Sequence, residues 1–324
     1  ICYSFLNIVC NYLTGNYWGE MGHREDERAF LGGSRHRRSG IMAIITISRG
    51  CFSHGKEIAE RVSQMLGYEC VSREILLEAS RFFDVPEQKL LNSIHDAPTV
   101  LERITHGREK YLSYIRAALL EHVKRDNVVY HGHAGHLLIP EVPHVLKVRV
   151  IAKIEDRIAF LQQKESMPRN EAMTYIKNED KQRAEWTRYL YKTEVSDPCL
   201  YDIVINIGSL TIESASEFIC EMAASDTFKA TPESQKLMND LAVSSHVQAA
   251  LQETCDAAVT SDNGVVRVRV GAQKLRKTGF AAPELQRRVR ERIREDLMRD
   301  IVQIAKRIPG VREVVCDVDL PYYS

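Results

Sequence analysis

The sequence predicts a three-layer α/β fold, a parallel sheet with helices on both faces, followed by a small α+β domain. Three observations predict it. Short apolar, β-branched runs alternate with helical stretches from residue 43 to about 224, the pattern of strands joined by crossover helices. The first run leads into a glycine-bounded turn and then a helix. After residue 224 the order changes to helix, hairpin, helix and strand.

The elements follow from local patterns. "AIITI" (43–47) suits a buried parallel strand. Ile58, Ala59, Val62, Met65 and Leu66 then recur at helical spacing, with Gly67 as a stop. "YECVS" (68–72) reads as a second strand and "REILLEASRFF" as a helix. Residues 99–126 form one long helix with Leu101, Ile104, Leu112, Ile115, Leu119 and Val123 on a stripe. "NVVYHG" (127–132) and "HVLKVRVIA" (144–152) are core strands, with helices at about 154–165 and 170–192. "YDIVINI" (201–207) is the last strand of the sheet, and "SLTIESASEFICEMA" its closing helix. Residues 225–232 read as a linker. In the segment 233–324, Asn263-Gly264 between alternating runs signals a hairpin. A helix carrying Leu285, Val289, Ile293, Leu297 and Ile301 ends at Pro309-Gly310, before a final strand.

Composition bounds the function. Lys plus Arg is 44 and Asp plus Glu is 44, so no overall charge draws the 324-residue chain to nucleic acid or anionic membrane. The eight cysteines form no C-x-x-C pair and read as reduced thiols of a cytoplasmic protein. Residues 1–41 read as lying outside the fold: "ICYSFLNIVCNYL" is apolar but too short to span a bilayer. An over-extended start before Met42 is the favoured reading, and a membrane anchor the alternative.

The chemistry concentrates in "RGCFSHGKE". Gly50, Gly55 and Lys56 give G-x-x-x-x-G-K, a phosphate-binding loop in which backbone N–H groups and a helix N-terminus meet the phosphates. Glu57 stands where Ser or Thr would hold Mg²⁺, and Ser53 or Ser48 could supply that hydroxyl. The alternative is a strand–turn–helix junction with an incidental lysine. Residues 157–192 carry basic residues, Arg157, Arg183 and Arg188 among them, suited to closing on a transferred phosphoryl group. Interspersed acids, Glu179 and Asp180 among them, fit a solvated helix face equally. His131, His133 and His136 lie on a loop after a strand, as a metal site or as imidazoles facing solvent or substrate.

The run "AIITISRGCFSHGKEIAERVSQMLGYECVSREILLEAS" resembles the start of the cytidylate kinase-like proteins, relatives of bacterial CMP kinase. "VVYHGHAGHLL", "LKVRVIAKIEDRI" and "IKNEDKQRAEWTRYLYKTEVSDPCLYDIVINIGSLTIESA" resemble later segments of that family, so the likeness spans about residues 43–222. In that family an acidic residue after the loop's basic residue is usual, which makes Glu57 an expected variant. The resemblance implies a P-loop NTPase-type fold over 43–224 and a nucleoside monophosphate kinase using ATP and Mg²⁺, with CMP or dCMP as acceptor. It implies ATP at Gly50, Ser53, His54, Gly55, Lys56 and Glu57. It implies a catalytic set of Lys56, Arg183 and Arg188 with Asp180 ordering the arginines, and acceptor contacts at Arg73, His133 and Arg157. His133 stands where the family usually has Arg, and Ser72 where Asp is common. Residues 233–324 weakly resemble a BON domain through "NGVVRVRVG" and "RIPGVREVVCDVD", which implies an anionic ligand or lipid surface as partner. A catalytically weak nucleotide sensor, or an adaptor, coupled to a BON-like C-terminal domain that binds a ligand or lipid, is the alternative function.

Overall fold

A computed structural model describes residues 43–72, 74–95, 107–132, 134–276 and 282–323. The readings of residues 1–41, of Arg73 and His133, and of the start of the helix placed at 99–126 lie outside the described residues.

Five strands form one parallel sheet: β1 (Ile44–Arg49), β2 (Glu69–Val71), β3 (Val128–Tyr130), β4 (Val145–Ala152) and β5 (Ile203–Ile207), in the order β2-β3-β1-β4-β5. β1 lies at the centre, with Ile44 paired to both Val128 and Val145. Its residues Ile44 to Ser48 are all buried, which is why the run reads as continuously apolar rather than alternating. Helices α1 (Gly55–Leu66), α2 (Glu74–Phe83), α3 (Glu87–His95), α4 (Gly107–Val123) and the single turn α5 (Gly135–Leu138) occupy the first half. α6 (Ile154–Glu165), α7 (Arg169–Tyr191) and α8 (Ile212–Ala223) follow. Ile58, Ala59 and Val62 of α1 and Ala215 and Ile219 of α8 share one core with Ile45, Ile47, Val148 and Ile205 of the sheet. This is the α/β, P-loop-type architecture that the strand and helix alternation predicts.

The stretch read as a linker is short and partly inside the core. It makes a 3₁₀ turn at Asp226–Phe228, and Phe228 is buried against the sheet's helices. α9 (Pro232–Leu251) starts on a capping box of Thr231 and Ser234. It packs along α4, where Gln235 Nε2 donates to the Lys124 carbonyl at 2.9 Å.

A small sheet follows, β6 (Ala258–Asp262), β7 (Val265–Val270) and β9 (Glu313–Val318), in the order β6-β7-β9. The hairpin turns on Asn263 and Gly264, with φ of 50° and 78°. Both central residues are left-handed, as the mirror-image turn that matches strand twist requires. β8 (Lys274–Leu275) and β10 (Tyr322–Tyr323) form a separate two-strand ladder. α10 (Pro283–Ala305) crosses between the parallel pair β7 and β9. The expected apolar stripe of α10 is buried only at its C-terminal end: Ile301 is fully buried, whereas Leu285 and Val289 are exposed. Length explains this. A 23-residue helix runs about 35 Å, whereas six-residue strands run about 20 Å, so the first turns overshoot the sheet.

Candidate phosphate site

The loop between β1 and α1 lies at the carboxyl edge of the parallel strands, the edge at which ligands meet α/β sheets. Its shape comes from unexpected positions. Gly50 and Gly55 do not adopt left-handed backbone; Phe52 (φ 57°) and His54 (φ 63°) do. Non-glycine residues held in this region store strain of about 1–3 kcal/mol each and are characteristic of functional turns. Gly55 is required by close approach instead. A Cβ there would stand 2.6 Å from Cβ of Arg49.

The loop is closed from within by Ser53, whose buried Oγ lies 2.9 Å from the Gly50 carbonyl and 3.0 Å from that of Val150. Ser48 is buried at the end of β1, and its side chain meets Tyr201. Both hydroxyls considered as Mg²⁺ ligands are therefore committed to the fold. His54 packs its ring on Phe160 of α6, with centroids 4.3 Å apart, and so faces the α6–α7 pair. Lys56 is exposed, its Nζ 3.6 Å from Glu60, and Glu57 is half-buried in the first turn of α1.

The α6–α7 pair closes the other side. Arg157, nearly enclosed, donates from Nε to the Cys51 carbonyl at 2.6 Å, and its Nη2 lies 2.7 Å from Asp180 Oδ2. Its guanidinium covers Gly50. Asp180 also accepts the Cys51 N–H at 3.3 Å. Asp180 thus orders Arg157 and the loop, where the resemblance implied Arg183 and Arg188. Arg183 donates from Nη1 to the Arg49 carbonyl at 3.2 Å and lies 3.9 Å from Glu179. Arg188 points elsewhere: it makes a two-pronged, fully exposed pair with Glu194 at 2.6 and 2.9 Å. Trp186, buried, fixes α7 by donating from Nε1 to the Ser93 carbonyl of α3 at 2.8 Å.

Three residues beyond the sequence-derived set, Arg49, Arg149 and Tyr201, complete the edge. Arg49 Nη1 lies 2.8 Å from His131 Nδ1. A guanidinium can only donate, so Nδ1 accepts and the imidazole is neutral. Burial, then the charges of Arg49 and Lys56, push His131 down to about 3. Arg149 of β4 donates to the Tyr201 hydroxyl at 3.1 Å, and that hydroxyl meets His136 Nε2 at 3.2 Å. His131 and His136 therefore belong to different networks. Among the described residues no cluster of three or more His, Cys, Asp or Glu could hold a metal. The described cysteines are all free, and no described helix is long and apolar enough to cross a membrane. Burial pushes the Cys51 thiol up to about 12, so inside the loop it is an inert packing group.

The glycine-bounded loop after β1, the α6–α7 pair against it and the order β2-β3-β1-β4-β5 make an α/β fold of the P-loop type. The cytidylate kinase-like family model matches residues 44–209, and the chain belongs to that family. Among solved structures, an uncharacterized protein from Eubacterium ventriosum ATCC 27560 is 17% identical, covering 56% of this chain and 98% of that one, with a TM-score of 0.46. Shikimate kinase from Bacteroides thetaiotaomicron is 14% identical over 56% and 98%, with a TM-score of 0.35. Shikimate kinase from Acinetobacter baumannii in complex with shikimate is 12% identical over 58% and 96%, with a TM-score of 0.35. No curated protein matches the chain.

Proposed function

We propose that the protein transfers the γ-phosphoryl group of ATP to a nucleoside monophosphate, CMP or dCMP foremost. One observation carries this reading: Arg157, Asp180 and Arg183 of the α6–α7 pair converge on the Gly50–Lys56 loop at the sheet's carboxyl edge. Phosphoryl transfer is chiefly positioning and neutralisation of charge. In this reading Lys56 and Arg183 neutralise the phosphate oxygens. Arg157 and Asp180 are positioning residues, since their contacts are to the loop and to each other. Glu57 is the loop's acid, placed to hold Mg²⁺ through water, and the bound metal would supply further neutralisation of the phosphates. In this reading His131, neutral with its proton on Nε2, offers an N–H donor, and Arg49 beside it a permanent cation.

The test is incubation with ATP, Mg²⁺ and each nucleoside monophosphate in turn, read by chromatography. CDP or dCDP should form and should be absent with Lys56→Ala. No diphosphate above that variant would remove the reading. The exposed Arg188–Glu194 pair favours a second reading, a nucleotide sensor with little turnover. Its mark is thermal stabilisation by ATP without diphosphate. For the C-terminal unit, the helix–hairpin–helix–strand order supports a BON-like role with an anionic ligand or lipid. The Arg287 side chain is already shared between Glu284 and Glu291, so vesicle binding by the full chain decides it.

A further inference from the structure

A cavity of about 530 Å³ lies away from the phosphate loop, where α4, the end of α7 and α9 meet. Lys110 and Arg116 line it from α4, Tyr191 from α7, Gln248 from α9, Gln252 from the cap that ends α9, and Asp256 from the turn beyond. Its volume falls within the range of about 300–1,000 Å³ typical of small-molecule pockets. Its walls are mixed rather than apolar.

Arg116 distinguishes this cavity from an accidental gap. Its Nε donates to the Leu138 carbonyl at 3.2 Å. Among the described residues no carboxylate pairs with it, although it is largely enclosed, and burial pushes it below the ordinary arginine value. Lys110, by contrast, is already paired with Glu253. A guanidinium offers five N–H donors, and one is used here. Enclosing an unpaired cation is costly, and the cost is offset when an anion meets its free face. Exposed acids at the rim, Glu109 and Asp256, disfavour a highly charged ligand and suit hydroxyl or amine groups. The glutamine amides can donate or accept.

We propose that this cavity is a second ligand site, taking a small polar molecule whose single carboxylate or phosphate group pairs with Arg116. The ligand would bridge α4, α7 and α9, touching the helix that carries Asp180 and Arg183 to the loop.

The test is calorimetric titration of the full chain with glycerol 3-phosphate and, separately, gluconate, which distinguishes the two anionic groups. At least one should bind. Arg116→Gln should weaken that binding by about tenfold or more, the loss expected for a charge-assisted pair. Lys56→Ala should leave it unchanged, which separates this site from the phosphate loop. Gln252→Glu sets a like charge at the half-buried end of α9 and should weaken binding too, so it decides the matter if Arg116→Gln does not fold. Binding by neither probe at millimolar concentration overturns the proposal. So does binding that Lys56→Ala removes while the cavity variants retain it.

Discussion

Asp180 is where the loop and the α6–α7 pair meet, because one carboxylate takes both the Arg157 guanidinium and the Cys51 N–H. Asp180→Asn keeps the shape and removes the charge. Hydrogen bonds to charged groups contribute about 1.5–3 kcal/mol each, so a loss of about that size is expected in chemical unfolding. Nucleotide affinity should fall with it, since Arg157 is left enclosed without its anion. An unchanged unfolding midpoint would remove Asp180 from this role. Two histidines give a prediction in pH. His131 is pushed down to about 3 by burial, then Arg49 and Lys56; His136 is pushed to about 3 by burial, then Arg149 and Lys147. In the unfolded chain each returns to its ordinary value of 6.5. Between these values the unfolded chain binds more protons. Stability therefore rises with pH there and is lost as pH falls from about 6.5 towards 3, by up to ~1.4 kcal/mol per pH unit per histidine. Urea unfolding at several pH values should show a shallower loss for a His131→Gln/His136→Gln double variant. Equal slopes would mean that neither imidazole is held neutral.

At the scale of elements, α7 separates its arginines by geometry. Helical residues advance about 100° each, so Arg183 and Arg188 stand about 140° apart and cannot both face the loop. Arg183→Ala should lower kcat/KM by about 10²-fold or more, in the range of lost oxyanion-type donors. Arg188→Ala should change it by less than about threefold, because an exposed pair contributes about 0.2–1 kcal/mol. Steady-state kinetics on the two variants checks this, and a larger loss for Arg188 would show that α7 rearranges when substrates bind. The same geometry marks what the sequence could reveal. The loop was legible because strand, glycines, lysine and helix are contiguous, so spacing alone places them. The Arg49–His131 contact was not, since its partners are 82 positions apart and only the β1–β3 pairing joins them. The Asp180–Arg157 contact joins two helices across 23 positions, which spacing along one helix does not reveal. β8 and β10, two residues each, are too short to show any period.

At the scale of the whole molecule, α9 carries the largest difference from the sequence reading. Read as the start of a separate unit, it has two packed sides. Val247 and Leu251 enter the core of the small sheet, while His246 lies against Phe82 of α2 and near Glu121 of α4. Periodicity reveals that a helix is buried but not which neighbours bury it, and a helix covered on both sides loses the one-sided stripe. The packing implies thermodynamic coupling: melting the small sheet strips α9 of half its cover and so exposes α4. Val268→Ala, at the centre of the small core, therefore tests the coupling in the full chain. Removing two buried methyl groups costs about 1–3 kcal/mol through lost transfer energy and the residual cavity. Calorimetry should give one cooperative transition for the wild type, and the variant should shift that whole transition down by a few degrees, roughly 2–4 °C per kcal/mol for a chain of this order. If the variant instead resolves a low-temperature transition of its own, with the larger one unmoved, the small sheet folds independently and α9 belongs energetically to the parallel-sheet unit alone.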